Sequence, residues 1–196
     1  MPLPPEEFGI ASMPTPIGAM LIVFDRDHRM RALNFADHEP RMRRELRLHY
    51  GHEGPSWRLR EMALPVLLCQ PLERYFSGEL TALDEIQVHT AGTEFQRDVW
   101  RELRKIPAGT TLSYGQLAAK IGRPKAVRAV GMANGANPVG VVVPCHRVIG
   151  ADASLTGYGG GLHRKHWLLT HDGAKVKGSG AADPSGVKGQ SPLPCL

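Results

Sequence analysis

Within the stretch Pro144-Cys145-His146-Arg147-Val148, a cysteine and a histidine stand side by side, and that pair is the strongest chemical signal in the chain. The reactive form of cysteine is the thiolate, and a free thiol with a pKa near ~8.5 is mostly protonated at neutral pH. A histidine can take the proton directly or through a water. A carboxylate on the far ring nitrogen then sets the tautomer and stabilises the imidazolium. Asp172, just past the last expected helix, is the candidate carboxylate. The apolar, β-branched run Val139 to Val143 reads as a buried strand leading into Cys145. Neighbours on a strand point to opposite faces, so either the peptide bends after Pro144 or a water bridges the pair. Taken alone, the pentapeptide also fits a small buried cysteine beside a satisfied histidine.

The elements that must hold these groups are marked by local signals. Thr93-Glu94-Phe95-Gln96 has capping-box spacing and opens a helix with Phe95, Val99 and Leu103 on one face, ending before Pro107. Ser113-Tyr114-Gly115-Gln116 repeats the box and opens a second helix, with Leu117, Ala118 and Ile121 inward and Gly122 as its stop. A third is expected from Pro124 to about Asn134, closed by Gly135. The last two have the layout of a helix-turn-helix. On the third, Lys125, Arg128 and Met132 share a face, Val127 and Val130 are free to pack inward, and Ala126, Ala129, Gly131 and Ala133 allow close approach to another surface. Gly157 to Gly161, with Tyr158 inside, reads as a loop before a final helix from Leu162 to about His171.

Upstream, the pattern is that of a small α+β unit without evident chemistry. Residues 17–35 read as a hairpin about Asp25-Arg26-Asp27-His28, 41–50 as a helix, part of 59–76 as another ended by Ser77-Gly78, and Leu83 to His89 as a strand. The expected division is therefore residues 1–90 and 91–175, with a disordered tail at 176–196, rich in Gly, Ser, Pro and Lys.

Charge separates the same segments. Residues 1–92 carry 10 basic and 13 acidic groups, net −3, whereas 93–175 carry 12 and 5, net +7. An anionic partner should meet the second segment, although a solvated basic surface has the same composition. With no signal-like start and no run approaching about 18 apolar residues, a cytoplasmic protein is expected, with no membrane association. The three cysteines, odd in number and widely spaced, fit a reducing compartment better than a disulfide framework, and no paired Cys/His spacing suggests a metal.

From about Thr93 to Asp172 the chain resembles the O6-alkylguanine-DNA alkyltransferases, or methylated-DNA–protein-cysteine methyltransferases. The matching stretches are Gly92 to Gln96, Ile106 to Thr110, Ser113-Tyr114, Arg128 to Gly131, Asn137-Pro138, Pro144 to Ile149 and Leu155 to Tyr158. Pro16-Ile17-Gly18 and Tyr75 to Gly78 look like that family's N-terminal domain. The resemblance implies an α+β protein: a small ribonuclease-H-like α/β domain, then a winged helix-turn-helix-like domain. It implies single-turnover transfer of an alkyl group from O6-alkylguanine, and O4-alkylthymine, in double-stranded DNA to Cys145 by a monomer that needs no cofactor; the zinc ligands of some members' N-terminal domains are not apparent in this sequence, and no metal is expected.

In that reading Cys145, His146, Asp172 and Tyr114 are catalytic, with Tyr114 passing its hydroxyl proton toward guanine N3. Arg128 fills the gap left by the extruded base, and Lys125, Ser113 and Ala129 meet the DNA. Asn137 is the hinge before the acceptor segment, while Val148, Tyr158, Gly159 and Gly160 line the pocket. An alkylated-DNA sensor or transcriptional regulator using the same helices is the alternative, distinguished by what happens at Cys145. Two departures are visible: Asp172 stands where the family has glutamate, and Ala108 where an aromatic residue is common.

Overall fold

The computed structural model describes residues 6–175. They form two compact units, divided between Gly92 and Thr93. The expected tail at 176–196 lies outside the described residues.

In the first unit, β2 (Met20–Phe24) and β3 (Met30–Phe35) form the expected antiparallel hairpin. Asp25 closes its turn by accepting from the backbone N–H groups of Asp27 and Arg29 at 3.0 and 2.9 Å. β1 (Glu6–Met13) pairs antiparallel with β2 and parallel with β4 (Trp57–Glu61), giving the order β3-β2-β1-β4. Neither β1 nor β4 was marked in the sequence. Along β4 the alternation of Trp57 and Leu59 with arginines acquires meaning only once β1 lies beside it. α1 (Glu39–Tyr50) covers one sheet face, burying Met42 and Leu46 against Phe8, Val23, Ala32 and Trp57. α2 (Val66–Phe76) runs through Pro71 and ends at Ser77.

One expectation fails in this unit. Leu83 to His89 is not a strand: Ala82–Glu85 is a 3-10 helix, and Val88 makes one isolated bridge to Met30. Its buried residues, Leu83 and Ile86, are three apart, which is helical spacing. Among the described residues Cys145 is a free cysteine.

The second unit is built on helices. α3 (Glu94–Leu103) and α4 (Tyr114–Lys120) each begin with a complete capping box. Thr93 and Ser113 accept from the backbone N–H of Gln96 and Gln116, and each glutamine side chain accepts the N-cap N–H in return. α5 (Val127–Gly135) starts three residues later than expected, because Pro124 to Ala126 form the turn that ends the α4–α5 connection. Lys125 therefore precedes the helix instead of sharing a face with Arg128. Val127 is exposed, whereas Val130 is fully buried. The Trp100 indole N–H donates to Ala133 O at 2.8 Å and ties α3 to α5.

The expected strand over Val139 to Val143 is a series of turns instead. A buried apolar run has no period that distinguishes strand from compact turn, and here a side chain replaces the ladder partner. Asn137 Nδ2 donates to Val143 O at 2.8 Å and its Oδ1 accepts from Val139 N–H at 3.1 Å. Val141 is held at φ +67°, a strained conformation for a β-branched residue. A two-residue strand, β6 (Val148–Ile149), then pairs in parallel with β5 (Leu112–Ser113), and α6 (Leu162–His171) closes the unit.

Candidate active site

Cys145 to Arg147 form a single 3-10 turn between the Asn137-stapled loop and β6. Successive residues of such a turn are about 120° apart rather than 180°. This removes the geometric conflict that a straight strand would impose on Cys145 and His146. Cys145 is 7% exposed and His146 is fully buried.

The imidazole is oriented from the far end of the unit. Asp172 caps α6, and its Oδ2 lies 3.0 Å from His146 Nε2 and 2.7 Å from Arg147 Nε. Arg147 is fixed in turn by donating to Ile106 O at 2.6 Å. These two partners overcome the opposing effect of burial and hold the Asp172 carboxyl far below the usual carboxylate range, so it is ionised and only accepts hydrogen bonds. The ring proton of a neutral His146 therefore sits on Nε2, and Nδ1 carries the lone pair. Nδ1 is buried with no hydrogen-bonding partner among the described residues. Burial pushes the His146 pKa down, opposed by Asp172, so the ring is neutral and able to accept a proton.

Lys165 was not singled out from the sequence, where it is one basic residue in Leu162-His163-Arg164-Lys165-His166. Among the described residues it is one of the largest fully buried side chains. Its Nζ donates to Val148 O at 2.6 Å and to Thr156 O at 3.0 Å. Burial pushes its pKa down to about 8, opposed by the Cys145 side chain, whose thiolate favours the charged ammonium. A lysine is missed in a helix because only the fold decides whether it faces solvent or a nucleophile. Its depressed pKa has a sign that can be tested. Between about pH 8 and the unfolded value near ~10.4, the unfolded chain binds more protons, so stability should rise with pH. Chemical denaturation from pH 7.5 to 10.5 should show this rise in the wild type relative to Lys165→Met, and parallel curves would contradict it.

Tyr114 opens α4, directly after β5, and so lies beside the segment that follows Cys145. Its hydroxyl is 3.0 Å from Thr156 Oγ1. Gly131 of α5 packs against its ring, to which a Cβ there would come within 3.7 Å. Ser113 is occupied as the cap of α4. Arg128 and Ala129 lie exposed on α5, and Lys125 is exposed just before it. Met132, one turn after Arg128, is 72% exposed, which gives this helix an apolar as well as a cationic outer surface. At Val148 the N–H bonds to Cys145 O and the carbonyl accepts from Lys165. Tyr158 is half-buried, Gly159 exposed, and Gly160 buried with its carbonyl accepting from Arg164 at 3.1 Å.

The arrangement sets a free cysteine next in the chain to a neutral imidazole that a carboxylate holds, with a buried ammonium bonded to the strand that follows, a combination able to support thiol chemistry. No helix among the described residues is long and apolar enough to cross a membrane.

Residues 94–174 match the model of the 6-O-methylguanine DNA methyltransferase DNA-binding domain. A methylated-DNA–protein-cysteine methyltransferase of Salmonella typhimurium is 50% identical over 159 residues, covering 81% of this chain and 92% of the relative. One from Mycolicibacterium paratuberculosis is 61% identical over 100 residues, 51% of this chain and 60% of its own. Among solved structures, Mycobacterium tuberculosis OGT in complex with DNA superposes with a TM-score of 0.68 at 37% identity, over 85% of this chain and 92% of that one. The O6-methylguanine-DNA methyltransferase of Pyrococcus kodakaraensis shares the α+β fold, with a TM-score of 0.63 at 23% identity over 85% and 99%.

Proposed function

This chain belongs to the methylated-DNA–protein-cysteine methyltransferase family, and we propose that it repairs double-stranded DNA by direct reversal, moving the alkyl group of O6-alkylguanine, and of O4-alkylthymine, irreversibly onto Cys145. The observation that carries the assignment of roles is the Cys145-His146-Asp172 arrangement, in which the carboxylate claims Nε2 and leaves the Nδ1 lone pair without a partner among the described residues. Nδ1 takes the Cys145 proton, directly or through a water. The thiolate attacks the alkyl carbon in line with the bond to O6, a C–S bond forms, and the C–O bond electrons leave with the base. Tyr114 donates its hydroxyl proton to guanine N3, so the base departs neutral. The thioether that remains is a poor leaving group, and each molecule acts once.

An atom inside the base stack is out of reach of the sulfur of a buried cysteine, so the nucleotide must be flipped. In this reading residues 1–90 are a ribonuclease-H-like α/β domain and 91–175 a winged helix-turn-helix-like domain whose α5 enters the minor groove. Arg128 takes the place of the extruded base. Lys125, Ser113 and Ala129 lie along the backbone, the small residues permitting close approach. Asn137 holds the loop that presents Cys145, and Val148, Tyr158, Gly159 and Gly160 form the pocket around the base. The net charge of +7 on residues 93–175 supplies the attraction to phosphate. The protein works as a monomer.

The test is to incubate the protein with a duplex carrying O6-methylguanine and to measure intact and peptide masses. One methyl group, confined to the Cys145 peptide, is expected; binding without an adduct would identify a sensor. Arg128→Ala should slow repair of the duplex by at least about tenfold, a loss of about 1.4 kcal/mol, yet leave reaction with free O6-benzylguanine within about twofold. Equal losses on both substrates would remove Arg128 from the flipping step.

A further inference from the structure

Thr156 lies on the segment between β6 and α6 and touches both Tyr114 and Lys165. Its Oγ1 is 3.0 Å from Tyr114 Oη, and its backbone carbonyl accepts from Lys165 Nζ at 3.0 Å. The same ammonium donates to Val148 O, so Thr156 is tied to the strand that follows the Cys-His-Arg turn.

A phenol has one proton, and so has a threonine hydroxyl. If Tyr114 is to give its proton to the departing base, it cannot also spend that proton on Thr156. The 3.0 Å contact then has one productive direction, with Thr156 donating and Tyr114 Oη accepting. We propose that Thr156 is a positioning residue for the transfer step: its hydroxyl donates to Tyr114 Oη, turns the phenolic proton toward the base and stabilises that oxygen as it becomes anionic.

This inference rests on the reading of Tyr114 as the proton donor. In the step, the Tyr114 O–H bond breaks and the N3–H bond of guanine forms while the C–O bond to the alkyl group breaks. Negative charge builds on Oη, and water later returns a proton to it. A hydrogen bond to a charged oxygen is about twice as strong as one to a neutral oxygen. The Thr156 contact is therefore stronger in the transition state than before it, which is the condition for raising a rate and not merely a binding constant. Lys165 contributes by fixing the carbonyl of the same residue, which limits how far the hydroxyl can drift.

The experiment compares single-turnover methyl transfer from duplex O6-methylguanine by the full-length wild type, Thr156→Val, Thr156→Ser, Tyr114→Phe and the Thr156→Val/Tyr114→Phe double variant, with a melting curve for each. Valine keeps the shape and removes the hydroxyl, so a loss of about tenfold is expected. Serine restores the donor and should return the rate to within about twofold of wild type. In the Tyr114→Phe background, Thr156→Val should cost nothing further, because the group it serves is gone. Wild-type speed in Thr156→Val would overturn the proposal. So would failure of serine to rescue a folded protein, or an equal loss in the Tyr114→Phe background, which would mark Thr156 as a structural tie of the loop. A wild type that never acquires a methyl group on Cys145 would instead overturn the repair reading on which this one stands.

Discussion

Cys145→Ala should abolish methyl transfer to the detection limit of intact-mass analysis while leaving affinity for a duplex carrying O6-methylguanine within about threefold of wild type. The reaction makes one bond to the protein, and no other free cysteine is found among the described residues. The charges expected to meet DNA sit elsewhere, at Lys125 and Arg128, so binding does not depend on the sulfur. The substitution removes one small, largely buried group and should cost about 1 kcal/mol of stability, too little to confuse loss of chemistry with loss of fold. Gel-shift and mass measurements on one preparation separate the two. Transfer by the alanine variant would dismiss Cys145 as the acceptor, and lost binding by a folded variant would place the sulfur in recognition.

Asp172→Asn should have the largest effect on stability, lowering it by about 3–5 kcal/mol, and should slow transfer as well. One buried oxygen, Oδ2, accepts from both His146 Nε2 and Arg147 Nε, and the side chains of Asp172 and His146 are fully buried. Asparagine keeps the shape but removes the charge that balances the largely buried Arg147. It also no longer compels the imidazole proton onto Nε2, so the lone pair at Nδ1 is not guaranteed. Thermal melts and single-turnover rates at neutral pH test both parts, and a variant as stable as wild type would contradict the first.

The same pair defines the acid behaviour. Asp172 is depressed in the folded state, so its contribution is present above the ordinary carboxylate range and is lost as pH falls through the depressed folded value. His146 is also depressed. Below its ordinary value near ~6.5 the unfolded chain takes up a proton that the folded chain resists, and stability falls there too. Stability should therefore decline in two stages, first below about pH 6.5 and then below about pH 4. Asp172→Glu retains the charge but adds a methylene to a side chain with no free surface. It should cost about 1–3 kcal/mol unless α6 shifts.

Much of this site was legible from residue types because the signals are local. A capping box needs only a hydroxyl and an amide three residues apart. Thr93 with Gln96 and Ser113 with Gln116 could therefore be read directly and appear with both hydrogen bonds formed. A nucleophile next to a histidine is equally visible, as is an acid just past a helix end. Positions set by distant neighbours were not. Val139 to Val143 looked like a strand because four buried valines about Gly140 carry no period, and the Asn137 side chain decided otherwise. Pro124 suited a helix start, but the α4–α5 turn extends to Ala126. Lys165 and Thr156 are unremarkable in their own segments. They gain roles only because α6 and the loop before it fold back onto β6 and Tyr114.

By itself, then, the order of amino acids determined the family, the α+β class, the helix starts of α3 and α4, and the identity of the thiol and its imidazole neighbour. All of these are written within a few consecutive residues. Only the tertiary structure decided that Cys145 and His146 share a 3-10 turn, that Asp172 reaches back across 26 residues to claim Nε2, and that a buried ammonium is bonded to the Val148 carbonyl, three residues past the cysteine. The reason is physical: a proton's position and a charge's cost depend on what surrounds them in space, and neighbours in space are mostly not neighbours in the chain.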